Sequence, residues 1–392
     1  MRPTFIVWGA GREGRGFLAD LFHRDADVVL VDSDAGLVAE LSRRGSYTLH
    51  HHPGVGHPPQ TSQVTGWLAL HTESPATSTH VAAASAIFLC IYLESMAEAV
   101  ETIVPGLKAR FADGNRAPLD VVICANALNY GPTLRGLFIA ALPEHMHDWF
   151  TDHVGIVETL VRRTCVTPGA ELLAEDPLSV VTNAFPRLLV DTRAIKGHYE
   201  QFDCLEFSQD IRRDERLKIF TYNLLHATYA YLGNQRGYTY LTQCQDDPEI
   251  SKVADAAYAE SKAALTRCYD IPAAEMEAFE QTMWRYVVTP ALHDRVDRAA
   301  YNPIRKLHKA ERLVGSALLC LQADIEPRAI VEAIGAGLSY SNPEDPYACE
   351  LQSVIRNHGL HAAWARCSKL DLSDPLQARL HASVLASFAP QR

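Results

Sequence analysis

Through its first half the chain alternates short apolar runs with longer amphipathic stretches. "TFIVW", "ADVVLVD", "SAIFLCIYL" and "LDVVICANAL" are β-rich runs bounded by turn residues, whereas "FLADLFHR" and "ESMAEAVETIVPGLKARF" repeat their apolar positions at helical spacing. Strands alternating with helices predict a doubly wound α/β domain with a parallel sheet. After about residue 185 the pattern changes to long amphipathic stretches with few strand signatures, such as "DERLKIFTYNLLHATYAYLG", "ISKVADAAYAESKAALTRCY" and "EPRAIVEAIGAGLSY". The expected organisation is an α/β domain over 1–185 and a mainly α-helical domain over 186–392. No internal repeat or low-complexity linker interrupts it, and "HHHPGVGHPPQTSQ" and "FADGNRAP" read as loops, with His50–His52 in a polar loop or strand end.

The first apolar run leads directly into G-x-G-x-x-G at Gly9, Gly11 and Gly14, followed by a helical pattern. Strand, glycine turn and helix in this order form the Rossmann arrangement: the glycines allow a tight turn and close backbone approach to a pyrophosphate, and the helix N-terminus supplies free N–H groups. The second run ends at Asp32, 18 residues after Gly14. A carboxylate there accepts hydrogen bonds from an adenosine ribose and repels a 2′-phosphate, so the expected cofactor is NAD. Asn126, at the end of the fourth run, is either a ligand for the nicotinamide end of the cofactor or a turn-forming asparagine.

Composition excludes other classes. The 392 residues, 47% of them hydrophobic, suit two ordinary domains, and a formal net charge of −11 argues against a nucleic-acid binder. The nine cysteines are scattered without a C-x-x-C pair, as expected of reduced thiols in the cytoplasm rather than a zinc cluster. There is no signal-peptide pattern and no run approaching roughly 18 apolar residues, so a soluble intracellular protein without membrane contact is expected.

One stretch of the helical half carries chemistry. "KIFTYNLLH" sets Lys218, Asn223 and His226 in apolar and aromatic surroundings. On a regular α-helix Asn223 lies roughly 140° and His226 roughly 80° around from Lys218, one broad face on which all three reach a small ligand. A partly desolvated lysine loses ammonium stability and becomes a general base toward an alcohol, an asparagine amide donates to a developing alkoxide, and a histidine holds a neighbouring hydroxyl. By itself such a triplet also fits a snorkelling lysine beside satisfied core polar groups; an NAD fingerprint in the same chain favours the catalytic reading.

Lys218, Asn223 and His226 spell K-x4-N-x2-H, and "GAGREGRGF", "RGSYTLH", "HVGIVETLVRR", "NPIRKLHKAERL" and "EDPYACEL" follow in order. On these segments the chain resembles the polyol-specific long-chain dehydrogenases over nearly its whole length, and within them the mannitol-1-phosphate 5-dehydrogenase branch. That resemblance implies metal-independent, NAD-dependent interconversion of mannitol 1-phosphate and fructose 6-phosphate. It implies Lys218 as base, Asn223 in the oxyanion hole, His226 orienting substrate, and Asn126 beside the cofactor. It also nominates Arg298, Arg305 and Lys306 in "RVDRAAYNPIRKL" as substrate-holding, a segment that otherwise reads as a solvated basic patch, and Glu158 where relatives place an asparagine or aspartate. Ala125 replaces an acidic residue, Val161-Arg162-Arg163 a V-D-R sequence, and Thr289 an asparagine; Arg162 is then an anion contact or an exposed helix residue. Two other readings remain: a sugar-acid or unphosphorylated-polyol oxidoreductase of the same family, and an NAD-binding sensor without turnover. The implied partner is a small polyol phosphate or ketose phosphate, in a monomeric enzyme whose domains close over it.

Overall fold

The computed structural model describes residues 2–54, 57–125, 129–287 and 292–388. The chain forms two compact units, Met1–Asp214 and Glu215–Arg392.

In the first unit, β1 (Thr4–Trp8), β2 (Asp27–Asp32), β5 (Trp67–His71), β6 (Ala86–Leu89), β7 (Leu119–Ile123) and β8 (Val154–Leu160) form a parallel sheet in the order β5-β2-β1-β6-β7-β8. The chain therefore steps to one side of β1 and then to the other. That reversal opens a crevice beyond the strand C-termini, where ligands of such sheets bind. The apolar runs read as continuous because both sheet faces are covered: Phe5 and Val7 enter one core, Ile6 and Trp8 the other, and Val28/Leu30 and Val29/Val31 divide in the same way.

The sheet extends further than the change of pattern at 185 suggests. β11 (Leu188–Asp191) pairs antiparallel with β8, and β12 (Leu205–Ser208) pairs parallel with β11. Their ladder bonds belong to the first unit, so the division falls after Asp214 rather than after 185. A second sheet, β4-β3-β10-β9, joins β3 (Ser46–His51) and β4 (Gln60–Thr65) to β9 (Cys165–Val166) and β10 (Val180–Thr182). Its β3 contains His50 and His51, the latter bonded to Ser62 Oγ at 2.7 Å.

The second unit has no strand among its described residues. Helix Leu224–Gln235 is buried along most of its length, and Pro248–Tyr269, Val296–Ala300 and Arg328–Leu338 pack against it. No helix among the described residues is long and apolar enough to cross a membrane.

Candidate active site

Each glycine of the turn after β1 answers a different demand. Gly9 has φ +95°, and a Cβ there would stand 2.5 Å from the Cys90 carbonyl oxygen. A Cβ on Gly14 would lie 2.1 Å from the Gly9 carbonyl oxygen, so helix and turn are in backbone contact. Gly11 has nothing within 4 Å of its missing Cβ and faces open space. Arg15 clamps the turn from behind, its Nη1 donating to Ala10 O at 2.5 Å. Asp32 holds it at the side: Oδ2 accepts from Ala10 N at 2.7 Å and Oδ1 from Asp34 N at 2.9 Å. Each carboxylate oxygen keeps a second lone pair, which a ribose hydroxyl can use. The cradle fits a dinucleotide: open backbone at Gly11, a helix beginning beside it, and an acceptor at Asp32.

These contacts separate two substitutions. Gly11→Ala is expected to leave Tm unchanged and weaken NADH binding about tenfold, because only the ligand's approach is obstructed. Gly14→Ala is expected to lower Tm and NADH affinity together, because its methyl group must push helix and turn apart. Thermal unfolding and NADH fluorescence titration of both variants check this; equal behaviour of the two would contradict the assignment of Gly11 to the ligand.

Asn126 and Thr289 lie outside the described residues. Glu158 is buried, and its Oε1 accepts from Gly131 N at 2.9 Å, fastening the helix Gly131–Ala141 to β8. Arg162 follows β8 in non-helical chain, so neither the exposed-helix reading nor a free anion contact describes it: it pairs with Glu206 and lies 4.4 Å from the Phe185 ring centre. Arg163 is buried and donates to Asp20 Oδ2 at 2.5 Å, Gly16 O at 2.9 Å and Phe185 O at 2.6 Å, tying the exit of β8 to the glycine-turn helix. Sequence reading assigned no such role to Arg15 or Arg163, since most of their partners are backbone carbonyls, which residue types do not mark, and those of Arg163 lie at least 22 residues away.

The lysine helix is not a regular α-helix. Ile211–Lys218 and Leu224–Gln235 are α-helical, but Ile219–Asn223 between them is a π-turn, in which Leu224 N bonds Ile219 O. The Thr221 hydroxyl donates to Leu217 O and the Ser261 hydroxyl to Phe220 O, satisfying carbonyls that the wider turn displaces. The i→i+5 turn sets Asn223 above Lys218 rather than roughly 140° away, and His226 lies three α-helical residues further, so the π-turn narrows the broad face to one stripe. Lys218 and Asn223 are 8% and 6% exposed, and Asn223 Nδ2 is a buried donor without a protein acceptor. Such an orphan costs free energy unless something else accepts from it.

His226 stacks on Tyr222 with ring centres 4.5 Å apart. Burial draws its pKa from 6.5 down to about 4; Asp294 opposes the shift, while Arg298, Arg312 and Lys306 add to it. The imidazole is therefore neutral at pH 7 and serves as a hydrogen-bonding group. Between pH 6.5 and about 4 the unfolded chain carries a proton here that the folded chain does not. Stability from this group is complete above pH 6.5 and is lost as pH falls toward 4. Tm should drop across that window, and His226→Asn should flatten the drop; an unchanged profile would contradict the assigned environment.

The same charges define a basic cluster. Arg298 pairs with Asp294, four residues back in the chain before its helix, its Nε donating at 2.5 Å. Lys306, only 6% exposed, donates from Nζ to Ala299 O at 2.5 Å, and its pKa is held far below the ordinary lysine value by burial and then by Arg312, Arg305 and Arg298. Asn302, at φ +58°, caps the short helix that carries Arg305 and Lys306, its side chain accepting from Arg305 N at 3.0 Å. Arg312, buried and paired with Glu311 at 2.8 and 3.0 Å, was not nominated from sequence although it stands in the quoted "NPIRKLHKAERL". Around His226 itself, Arg298, Arg312 and Lys306 stand against Asp294, while Asp297 accepts from Arg298 N and Asp345 from Asn302 N nearby, in a chain of net charge −11.

A dinucleotide cradle on a doubly wound sheet, followed by a helical unit that sets a half-buried histidine beside a buried lysine and asparagine, defines a two-domain nicotinamide-dependent dehydrogenase. Residues 4–203 match the mannitol dehydrogenase Rossmann domain and residues 210–381 the mannitol dehydrogenase C-terminal domain. The chain belongs to the mannitol dehydrogenase family and is an NAD-dependent oxidoreductase acting on CH–OH groups. Its fold is similar to that of Pseudomonas fluorescens mannitol 2-dehydrogenase, solved as a ternary complex with NAD and D-mannitol (TM-score 0.73, 16% identity, covering 98% of this chain and 95% of that one). It is also similar to that of a D-sorbitol dehydrogenase in substrate-free form (TM-score 0.74, 17% identity, 97% and 92%).

Proposed function

We propose that the protein reduces fructose 6-phosphate to mannitol 1-phosphate and catalyses the reverse oxidation, as a mannitol-1-phosphate 5-dehydrogenase. The surplus of basic side chains around His226 carries this reading. A free polyol has no charge to set against it, whereas a phosphate dianion has two. The pKa of Lys306 is lowered first by burial and then by Arg312, Arg305 and Arg298, and an anion seated there would oppose the second effect. In place, Arg298 and Lys306 are occupied by Asp294 and the Ala299 carbonyl, so they supply field more than direct contact.

Bound NADH supplies the hydride. The chain's own residues do the rest: the Lys218 ammonium gives its proton to the carbonyl oxygen in reduction, and its amine takes it back in oxidation. Asn223 Nδ2 donates to the same oxygen as it gains charge. His226, neutral, holds an adjacent hydroxyl.

NADH oxidation followed with fructose 6-phosphate, fructose, fructuronate and tagaturonate, and repeated with NADPH, tests the reading. The expected result is turnover confined to fructose 6-phosphate and NADH. Turnover restricted to fructose or a sugar acid would move the substrate within the family, and silence with all four would overturn the proposal.

A further inference from the structure

Resting on the roles proposed for Lys218 and Asn223, we infer that Ser261 is a positioning residue for catalysis: from a neighbouring helix its hydroxyl holds the Phe220 carbonyl and so keeps the turn between Lys218 and Asn223 in its π form. Two donors compete for that one acceptor. In an α-helix Phe220 O would take Leu224 N, four residues on. Here Leu224 N bypasses it and bonds Ile219 O, five residues back, and Thr221 O. Phe220 O instead accepts from Ser261 Oγ at 2.6 Å. An α-helical turn would deprive the completely buried Ser261 hydroxyl of its acceptor, and a π-turn without Ser261 would leave Phe220 O bare. A buried polar group left idle destabilises whichever form leaves it so, and the hydroxyl therefore favours the π form.

Ser261 reaches a main-chain carbonyl because the helices meet closely. Ala254, Ala257, Ser261 and Ala264 share one face of Pro248–Tyr269, all four completely buried, and this helix packs against both the π-turn and Leu224–Gln235. The Phe220 ring is seated from another side. A Cβ on Gly315 would stand 2.8 Å from its Cε1, so the ring fills the space that a glycine leaves on helix Val314–Gln322. Thr221 acts within the turn, donating to Leu217 O, the back-bond to i−4 that helical threonines commonly make. The contact that selects the π form therefore comes from Ser261. With the π-turn Asn223 stands over Lys218; relaxed to an α-helix the two separate toward roughly 140°, and one substrate oxygen no longer meets both. Misplacement of reacting groups by about 1 Å can cost about 10² in rate.

Ser261→Ala tests this, because it frees Phe220 O for Leu224 N. The expected result is a kcat for fructose 6-phosphate reduction lowered about 10²-fold, with KM and NADH affinity within about twofold of wild type. In an Asn223→Ala background the same substitution should cost less than about threefold, because the alignment it disturbs is already gone. A serine that served stability alone would slow both backgrounds alike. Ser261→Cys, of similar size but a weaker donor, should fall between serine and alanine, and it carries the same comparison if the alanine variant does not fold. Crystal structures of wild type and variant read the turn directly, the variant having Leu224 N on Phe220 O. Wild-type kcat in Ser261→Ala, equal losses in the two backgrounds, or a variant structure that keeps Leu224 N on Ile219 O overturns the inference while the proposed function stands. If Asn223→Ala alone keeps wild-type kcat, the proposed role of the asparagine fails and the inference falls with it.

Discussion

Lys218→Ala should lower kcat for ketose reduction by about 10³-fold or more while NADH affinity stays within about twofold of wild type. Proton transfer by a placed side chain contributes roughly 10²–10⁴ to rate, and on this stripe no other group is suited to it. His226, with its pKa drawn down to about 4, holds too little proton affinity to take one from an alcohol at neutral pH. An asparagine amide does not titrate there at all. Lys218, 8% exposed and aligned with Asn223 by the π-turn, remains. The cofactor cradle belongs to residues of the first unit, so its affinity is the control. Lys218→Arg separates proton transfer from charge: the guanidinium keeps the positive charge and reach but does not deprotonate in the working range. It should be nearly as slow as the alanine variant. A fast arginine variant would show that Lys218 acts as a fixed cation, and a fast alanine variant would remove it from the mechanism.

How much of this was legible in the sequence depended on how local the cause was. The glycine turn and Asp32 were legible because strand, turn, helix and acid occupy one continuous stretch, and the structure closes them into contacts such as Ala10 N to Asp32 at 2.7 Å. The position of the triplet was legible, but its geometry was not. A π-turn depends on who satisfies the displaced carbonyls, and Ser261, which does so for Phe220, lies 41 residues away. β11 and β12 were missed as part of the first domain because they are four-residue strands, one at the sheet edge, with no long apolar run to announce them. Glu158 shows the opposite limit. It stands near the position where relatives place an asparagine or aspartate, and its carboxylate holds Gly131 N, a fold contact that no pattern of residue types reveals.

Asn223 offers the second large effect and the sharper separation of rate from stability. Its Nδ2 is buried with no protein acceptor, so the folded enzyme bears the cost of an idle donor in the resting state. A donor held in this way needs no reorganisation when charge develops on the substrate oxygen, and removing one such donor from an oxyanion site typically costs about 10²–10³ in kcat. Asn223→Ala is therefore expected to lose that factor in kcat, with KM little changed, because the bond strengthens only as the carbonyl becomes an alkoxide. Its Tm should fall by no more than about 3 °C, small for a buried polar deletion, since the lost amide donor had no partner to leave behind. Asn223→Asp should be slower still: the carboxylate has nearly the same shape but faces the alkoxide with like charge. Steady-state kinetics in both directions and thermal unfolding of the two variants read this out. If the alanine variant instead loses many degrees and keeps its rate, Asn223 is a structural polar group of the helix and the oxyanion must be held elsewhere.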